Sequence, residues 1–444
     1  MKSDDPLLAA WDETLVRKGD APAIFNTSGE VLRTFHGIEQ RARAFQPKVD
    51  LCRPGQVNAI DIGNRPDWPS LLLACLRRQL VVLPLEDSMT PQQREAALRI
   101  CTVRDARDWG DRPPVLLKLT SGTTAAPRAI RFRSEQLLAD CNQICETMEI
   151  GPDDLNFGVI PLSHSYGFSN LVTPLLVRGV PMVLSCDRMP RAVLDDLART
   201  NATVFPGMPV FYQAFCEMEN APALPKLRLC ISAGAPLPLE IARTFREKFE
   251  RSIHSFYGSS ECGGICYDRE ARLLEPGFVG QSMRGAKLEM LEPDASASRI
   301  RIQSAAAGDG YFPEPEDEKL GGGFFIPDDL LNAGPDGFRI VGRISDVINV
   351  AGKKVNPAEV EAELLRFPGV GAAVVFGRKS IRRNEEVAAC VVAIKGVREP
   401  DLLEFCRENL SGWQVPKRIF FVDEIPVNER GKVSRRELAM KFCS

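Results

Sequence analysis

Histidine is almost absent: the 444-residue chain has three, so histidine chemistry is confined to His36, His164 or His254. No C-x-x-C pair occurs among the thirteen cysteines. Cys141/Cys145 and Cys262/Cys266 are spaced four apart, which can put each pair on one helical face. Neither pair has further cysteines or histidines nearby, so a zinc site is not expected and reduced, mostly buried thiols are. Strong charge of one sign is also missing. A formal net charge of -3 gives no electrostatic basis for binding nucleic acid or an anionic membrane. Long apolar runs are lacking too. The most apolar window, Ser70 to Leu85, is broken by Arg77-Arg78 and is too short for a bilayer span. The N-terminal stretch carries early acidic residues and no sustained apolar core. No secretory leader, no membrane span and a cytoplasmic location are therefore expected. No repeat, low-complexity tract or Ser/Gly linker marks a domain boundary.

What is present is an alternation of strand-like and helix-like segments, which predicts an α/β architecture. The length allows two or more domains with a large core. A hairpin is expected over Ala23–Phe25 and Val31–Phe35. Short apolar runs suited to buried strands lie at Val57–Ile62, Val81–Leu85, Asn156–Ile160, Val180–Leu184, Val204-Phe205 and Leu227–Ile231, with helical patterns at Trp68–Arg77, Arg191–Arg199 and Leu239–Glu250. Beyond about residue 270, short alternating strands with glycine turns predict a smaller β-rich, barrel-like layer. The last hundred residues are mixed, with helices expected at Pro357–Arg366 and Glu399–Leu410.

The most informative stretch runs from Val115 to Phe132. An apolar strand, Val115 to Leu119, delivers Thr120, Ser121, Gly122, Thr123 and Thr124, and Ile130-Arg131-Phe132 reads as a second strand. A loop of hydroxyls and backbone N–H groups can wrap a phosphate, with Arg128 as a cation at its exit. The Walker A spacing is absent. Four further stretches carry chemistry. Tyr257-Gly258-Ser259-Ser260-Glu261 offers an aromatic face, hydroxyls and a carboxylate able to hold Mg²⁺. Ser232-Ala233-Gly234-Ala235-Pro236 ends a buried strand with small residues, against which a flat ligand can lie. Asp329 and Arg343 can divide the hydroxyls of a ribose. Gly431-Lys432 presents a cation on an exposed turn. Each alone also has a plain reading, as an ordinary turn, a surface ion pair or, for Lys432, a solvated cation.

In this order, the stretches resemble the adenylate-forming superfamily of acyl- and aryl-CoA synthetases, luciferases and peptide-synthetase adenylation domains. Thr120 to Arg128 is similar to its phosphate loop T-S-G-T-T-G-x-P-K, Ser232 to Leu237 to its adenine-edge motif, and Tyr257 to Glu261 to Y-G-x-T-E. Asp329 falls on the acid of G-W-F-x-T-G-D, and Gly342-Arg343 with Asp346 fits G-R-x-x-D. Gly352 to Glu361 resembles G-G-x-x-I-x-P-x-E-V-E, and Pro426 to Leu438 resembles P-x-T-x-x-G-K-x-x-R-R-E-L.

The resemblance implies a fold and a division. A large N-terminal AMP-binding domain, 1–342, would contain β-sheets flanked by helices. A small mobile α+β domain, 343–444, would carry Lys432. It further implies ATP, Mg²⁺ and coenzyme A, or a carrier-protein phosphopantetheine, with a small carboxylic acid as substrate. Tyr257 would stack on adenine beside Gly234, Ala235, Pro236 and Gly258, Ser260 would assist at the phosphate, and Glu261 would hold the metal. Asp329 and Arg343 would bind ribose, and Lys432 would bridge the acid to the α-phosphate. His164, in Pro161-Leu162-Ser163-His164-Ser165-Tyr166-Gly167, would stand at the acyl pocket, for which Phe168, Phe205, Phe211, Ala233 and Gly263 are further candidates. The chain departs from the pattern at Ala125 and Ala129 for glycine, Arg128 for lysine, Pro327-Asp328 for Thr-Gly, Ser345 at the hinge and Ala351 for the first thioester-loop glycine. The leading expectation is an AMP-forming acid–thiol ligase acting on an aryl or short-to-medium acyl acid. A carrier protein is the alternative acceptor, and a nucleotide-binding scaffold without turnover the alternative of another class. Both monomer and homodimer remain open.

Overall fold

Short, mostly apolar runs become strands buried on both faces, as in a parallel sheet. Val204–Gly207, Leu229–Ser232, Asn156–Gly158 and Met182–Leu184 are buried throughout. The computed structural model describes residues 4–102, 105–110, 113–120, 128–295, 297–380, 384–426 and 433–442. Two compact units result. The larger holds Met1–Glu289, Arg301–Ile326 and Gly334–Phe338, and the smaller holds Met290–Ile300, Pro327–Ala333 and Arg339–Ser444.

In the larger unit the principal sheet runs Phe278–Ser282, Gly263–Tyr267, Ile253–Ser259, Leu229–Ser232, Val204–Gly207, Asn156–Gly158, Met182–Leu184, Pro22–Phe25, Val31–Thr34. Its centre is parallel, and the hairpins at both flanks are antiparallel. Amphipathic helices Pro190–Thr200 and Leu239–Phe249 cover it, with Val193, Leu194 and Phe245 buried in one core with Phe205. Tyr212 anchors this core by donating to the Phe205 and Ile231 carbonyls at 3.2 and 2.9 Å.

A second sheet orders Val57–Ile60, Val81–Pro84, Leu116–Leu119, Ala129–Phe132 and Tyr311–Phe312. Within it, Leu116 pairs with Phe132 and Leu119 with Ala129, the expected strand–loop–strand hairpin. The short strands beyond 270 pair as Ala286–Met290, Ile300–Ser304, Phe324–Phe325 and Leu320–Gly321.

The smaller unit joins Lys353–Val355, Ile348–Val350, Asn384–Ala393 and Val370–Ser380 into a sheet that Arg418–Phe421 extends. Helices Pro357–Leu365 and Glu399–Asn409 contribute Val360, Leu364 and Leu402 to its core. Arg435 ties the unit together by pairing with Asp346 and Glu361, both at 2.8 Å, and donating to the Val375 carbonyl at 2.9 Å.

The mixed α/β architecture is as expected. One spacing misleads: Cys141 and Cys145 share helix Ser134–Met148, but Cys262 lies in a turn and Cys266 in strand Gly263–Tyr267. Gly263, at φ +68°, breaks any helical path between them. Among the described residues, no helix is long and apolar enough to cross a membrane.

Candidate active site

Ligands of α/β sheets gather outside the carboxyl ends of parallel strands. Three of the expected stretches stand at such ends, and Met208, which no motif marked, stands at a fourth. The His164 segment follows Asn156–Gly158, Met208 follows Val204–Gly207, Gly234 follows Leu229–Ser232, and Tyr257 to Glu261 close Ile253–Ser259. Gly234 takes φ +87°, a conformation that lets the chain turn off the strand. Gly234 and Pro236 are exposed and Ala235 is partly so, whereas the preceding Ser232 is buried, its hydroxyl without a partner among the described residues.

The His164 segment is held tightly. Asn64 accepts from the Leu162 amide at 2.9 Å. A Cβ on Gly167 would run into the Pro161 carbonyl, so this turn requires glycine. The His164 Nδ1 accepts the Tyr166 amide at 3.1 Å and caps the helical turn, which leaves Nε2 to carry the proton of the neutral ring. Ser165 donates to Ser260 Oγ at 2.9 Å, joining this segment to the Tyr257–Glu261 stretch.

Thr120 donates its amide to the Arg128 carbonyl at 2.9 Å and closes the base of the hydroxyl loop. Ser121, Gly122, Thr123 and Thr124 lie outside the described residues, as does Lys432. Arg128 pairs with Glu316 at 2.7 Å and lays its guanidinium 4.0 Å from the centroid of Tyr311. Its Nε and Nη2 are buried and have no partner among the described residues. Tyr311 in turn donates to Glu261 Oε1 at 3.3 Å. Burial pushes the Glu261 carboxyl above the usual carboxylate range, against the hydrogen bonds from its own backbone, Tyr311 and Ser259. Burial, reinforced by the Glu261 charge, pushes the Tyr311 phenol up as well. Two buried, unspent guanidinium donors fit an anion. A carboxylate beside them fits one ligand position of a hard cation whose other oxygens come from phosphate. Among the described residues no cluster of three metal-ligating side chains exists, so Glu261 offers that single position.

In the smaller unit, Arg343 pairs with Asp329 at 2.6 Å, with Asp329 buried and Arg343 more open. The expected acyl-pocket residues divide. Phe205 is enclosed by Phe157, Phe211, Tyr212 and Phe215, and Phe168 packs edge-on against Trp68. Both are core residues, because the apolar strand and helix carrying them are buried on all sides. Gly263 abuts Asp140 and has no room for a side chain. Tyr311, Glu316 and Asn64 were not legible as site residues. The sequence signal for Tyr311 is an aromatic pair, Tyr311-Phe312, between Gly310 and Pro313 in a β-rich stretch.

The AMP-binding enzyme family matches residues 104–299, and the AMP-binding enzyme C-terminal domain matches residues 359–432. An oxalate–CoA ligase of Arabidopsis thaliana is 29% identical, with 99% of each chain covered. A 3,4-dihydroxybenzoate–[aryl-carrier protein] ligase of Bacillus anthracis is 29% identical over 74% of each. A probable CoA ligase of Humulus lupulus is 29% identical over 73% of this chain, a match spanning 65% of that protein. Among solved structures, ATP-bound MatB from Rhodopseudomonas palustris superposes with a TM-score of 0.83 at 24% identity, covering 98% of both chains, and shares the fold. With both family modules present in order and together spanning more than half of its length, the chain belongs to the AMP-binding enzyme family.

Proposed function

We propose that this chain is an AMP-forming acid–thiol ligase that activates a small carboxylic acid with ATP and passes the acyl group to coenzyme A. The observation that carries this reading is the Arg128–Tyr311–Glu261 arrangement at the base of the hydroxyl loop, with two buried Arg128 donors that have no partner among the described residues. Phosphoryl chemistry asks chiefly for positioning and charge neutralisation. A carboxylate oxygen of the acid attacks the α-phosphorus of ATP, the bond to the pyrophosphate oxygen breaks, and an acyl-adenylate forms. The thiol sulfur then attacks the acyl carbonyl, and AMP leaves with the electron pair of the broken C–O bond.

In this proposal Thr120, Ser121, Gly122, Thr123, Thr124 and Arg128 hold the phosphates, and Ser260 assists. Glu261 holds Mg²⁺, which when bound neutralises phosphate charge. Tyr257 and Gly258 face the adenine with Gly234, Ala235 and Pro236, and Asp329 and Arg343 take the ribose. His164 lines the acid site, held in place by its Nδ1 cap on the Tyr166 amide. Lys432 bridges acid and α-phosphate. The functional division we propose is 1–342 and 343–444, with the second part alternating between half-reactions.

A carrier-protein thiol is the second acceptor reading, favoured by the likeness to the aryl-carrier-protein ligase. Pyrophosphate release across a panel of carboxylic acids tests the whole reading. Acid-dependent release supports it, and no release with any acid leaves a nucleotide-binding scaffold.

A further inference from the structure

Lys118 interrupts an otherwise apolar strand, and the residue is 5% exposed. Its ammonium lies between two aromatic rings, 4.6 Å from the centroid of Phe132 and 5.6 Å from that of Phe168. A methionine would fill that space without the desolvation that a buried ammonium suffers. Burial pushes the Lys118 pKa down, opposed by the charges of Asp140, Cys262 and Glu261. What the amine adds is a hydrogen bond. Nζ donates to Ser169 Oγ at 3.4 Å, and Ser169 spends its one hydroxyl proton on Asp140 Oδ2 at 2.5 Å. The other Asp140 oxygen accepts the Gly264 amide at 3.1 Å. Asp140 and Ser169 are as buried as Lys118, so little water competes for these groups.

The relay meets three site-bearing segments. Lys118 is two residues before Thr120, where the hydroxyl loop begins. Ser169 follows His164 and Ser165 on the same helical segment. Gly264 pairs with Gly258 across the hairpin whose turn carries Ser260 and Glu261. Asp140 also fills the space that a side chain on Gly263 would occupy, so the hairpin is seated against it.

We propose that Lys118 is a positioning residue for the nucleotide: through Ser169 and Asp140 it sets the spacing between Thr120, at the end of its own strand, and the Glu261 hairpin, touching neither substrate. This rests on the adenylation reading above. The test uses the full chain with Lys118→Met and Ser169→Ala, each checked by thermal unfolding. The KM for Mg·ATP and the KM for the acid are measured in acid-dependent ATP–pyrophosphate exchange. Thioester formation from supplied acyl-adenylate is measured alongside. Loss of one charge-assisted hydrogen bond predicts a rise of about tenfold in the KM for ATP. The acid KM and the thioester step should stay within about twofold, and the double variant should be no worse than the single ones. A KM for ATP that stays near wild type in both variants, or an acid KM that rises by the same factor, overturns the proposal. If Lys118→Met fails to fold, Ser169→Ala decides on the same readouts. If the wild type shows no exchange, the functional reading fails instead. The relay is then judged by ATP affinity in equilibrium dialysis, where an unchanged Kd in Ser169→Ala overturns it.

Discussion

The guanidinium of Arg128 lies 4.0 Å from the centre of the Tyr311 ring, and the Tyr311 hydroxyl donates to Glu261 at 3.3 Å. The cation at the exit of the hydroxyl loop and the carboxylate of the Tyr257–Glu261 stretch are thus linked through one aromatic side chain. Glu316 completes the group by pairing with Arg128.

Replacing Tyr311 with phenylalanine removes a donor that favours the ionised form of Glu261. Burial already holds this carboxyl above its ordinary range, so its pKa rises further in the variant. In its proposed role of holding Mg²⁺, Glu261 acts as the carboxylate, so activity is expected to fall as pH drops through that raised value. The acidic limb of the kcat/KM profile for Mg·ATP should move to higher pH in Tyr311→Phe. The KM for Mg·ATP at neutral pH should rise about fivefold, the size of one hydrogen bond. Steady-state kinetics across pH check this.

Arg128 uses its planar fork twice, stacking on Tyr311 while pairing with Glu316. A lysine cannot do both from one ammonium. Arg128→Lys should keep activity with a KM for ATP raised by up to about tenfold. Arg128→Ala should lose about 10- to 100-fold in kcat/KM for ATP, the cost of one or two charge-assisted contacts. Initial rates at varied ATP and saturating acid separate the two.

Lys432→Ala should abolish adenylate formation while sparing thioester formation from supplied acyl-adenylate. The proposed bridge between acid and α-phosphate acts only in the first half-reaction. Comparing pyrophosphate exchange with thioester yield from synthetic adenylate tests this. Equal loss of both steps removes the assigned role.

Gly167→Ala places a methyl group against the Pro161 carbonyl. Backbone, rather than a flexible side chain, must then move. The variant should lose about 2 kcal/mol or more of stability, read as a lower midpoint in thermal unfolding. Because His164 and Ser165 belong to the same turn, activity should fall even below the new midpoint.

The framework was legible where burial is uniform. Runs such as Val204–Gly207 and Leu229–Ser232 are apolar because both faces are covered, and helix Trp68–Arg77 shows its pattern directly. Helix Ser134–Met148 was not legible, because Asp140 and Gln143 interrupt its apolar face and yet are buried. Their reasons lie elsewhere in the chain, at Ser169 and Gly264 for Asp140 and at Ser304 for Gln143. The same limit applies to the site. Ordered motifs marked Glu261 and Arg128, but Tyr311 and Glu316 are joined to them only by folding, 50 and 188 residues away along the chain. Lys118 sits inside the run Val115 to Leu119, which reads as simply apolar, so its buried role was not legible either. Its partners could not be read without the fold.

The most direct measurement is product stoichiometry with a responsive acid, ATP, Mg²⁺ and coenzyme A, followed by mass spectrometry. Acid–thiol ligation predicts one AMP, one pyrophosphate and one acyl thioester per turnover, with no AMP when the acid is omitted. Formation of ADP and phosphate, or AMP without any thioester to coenzyme A or a carrier thiol, would contradict it.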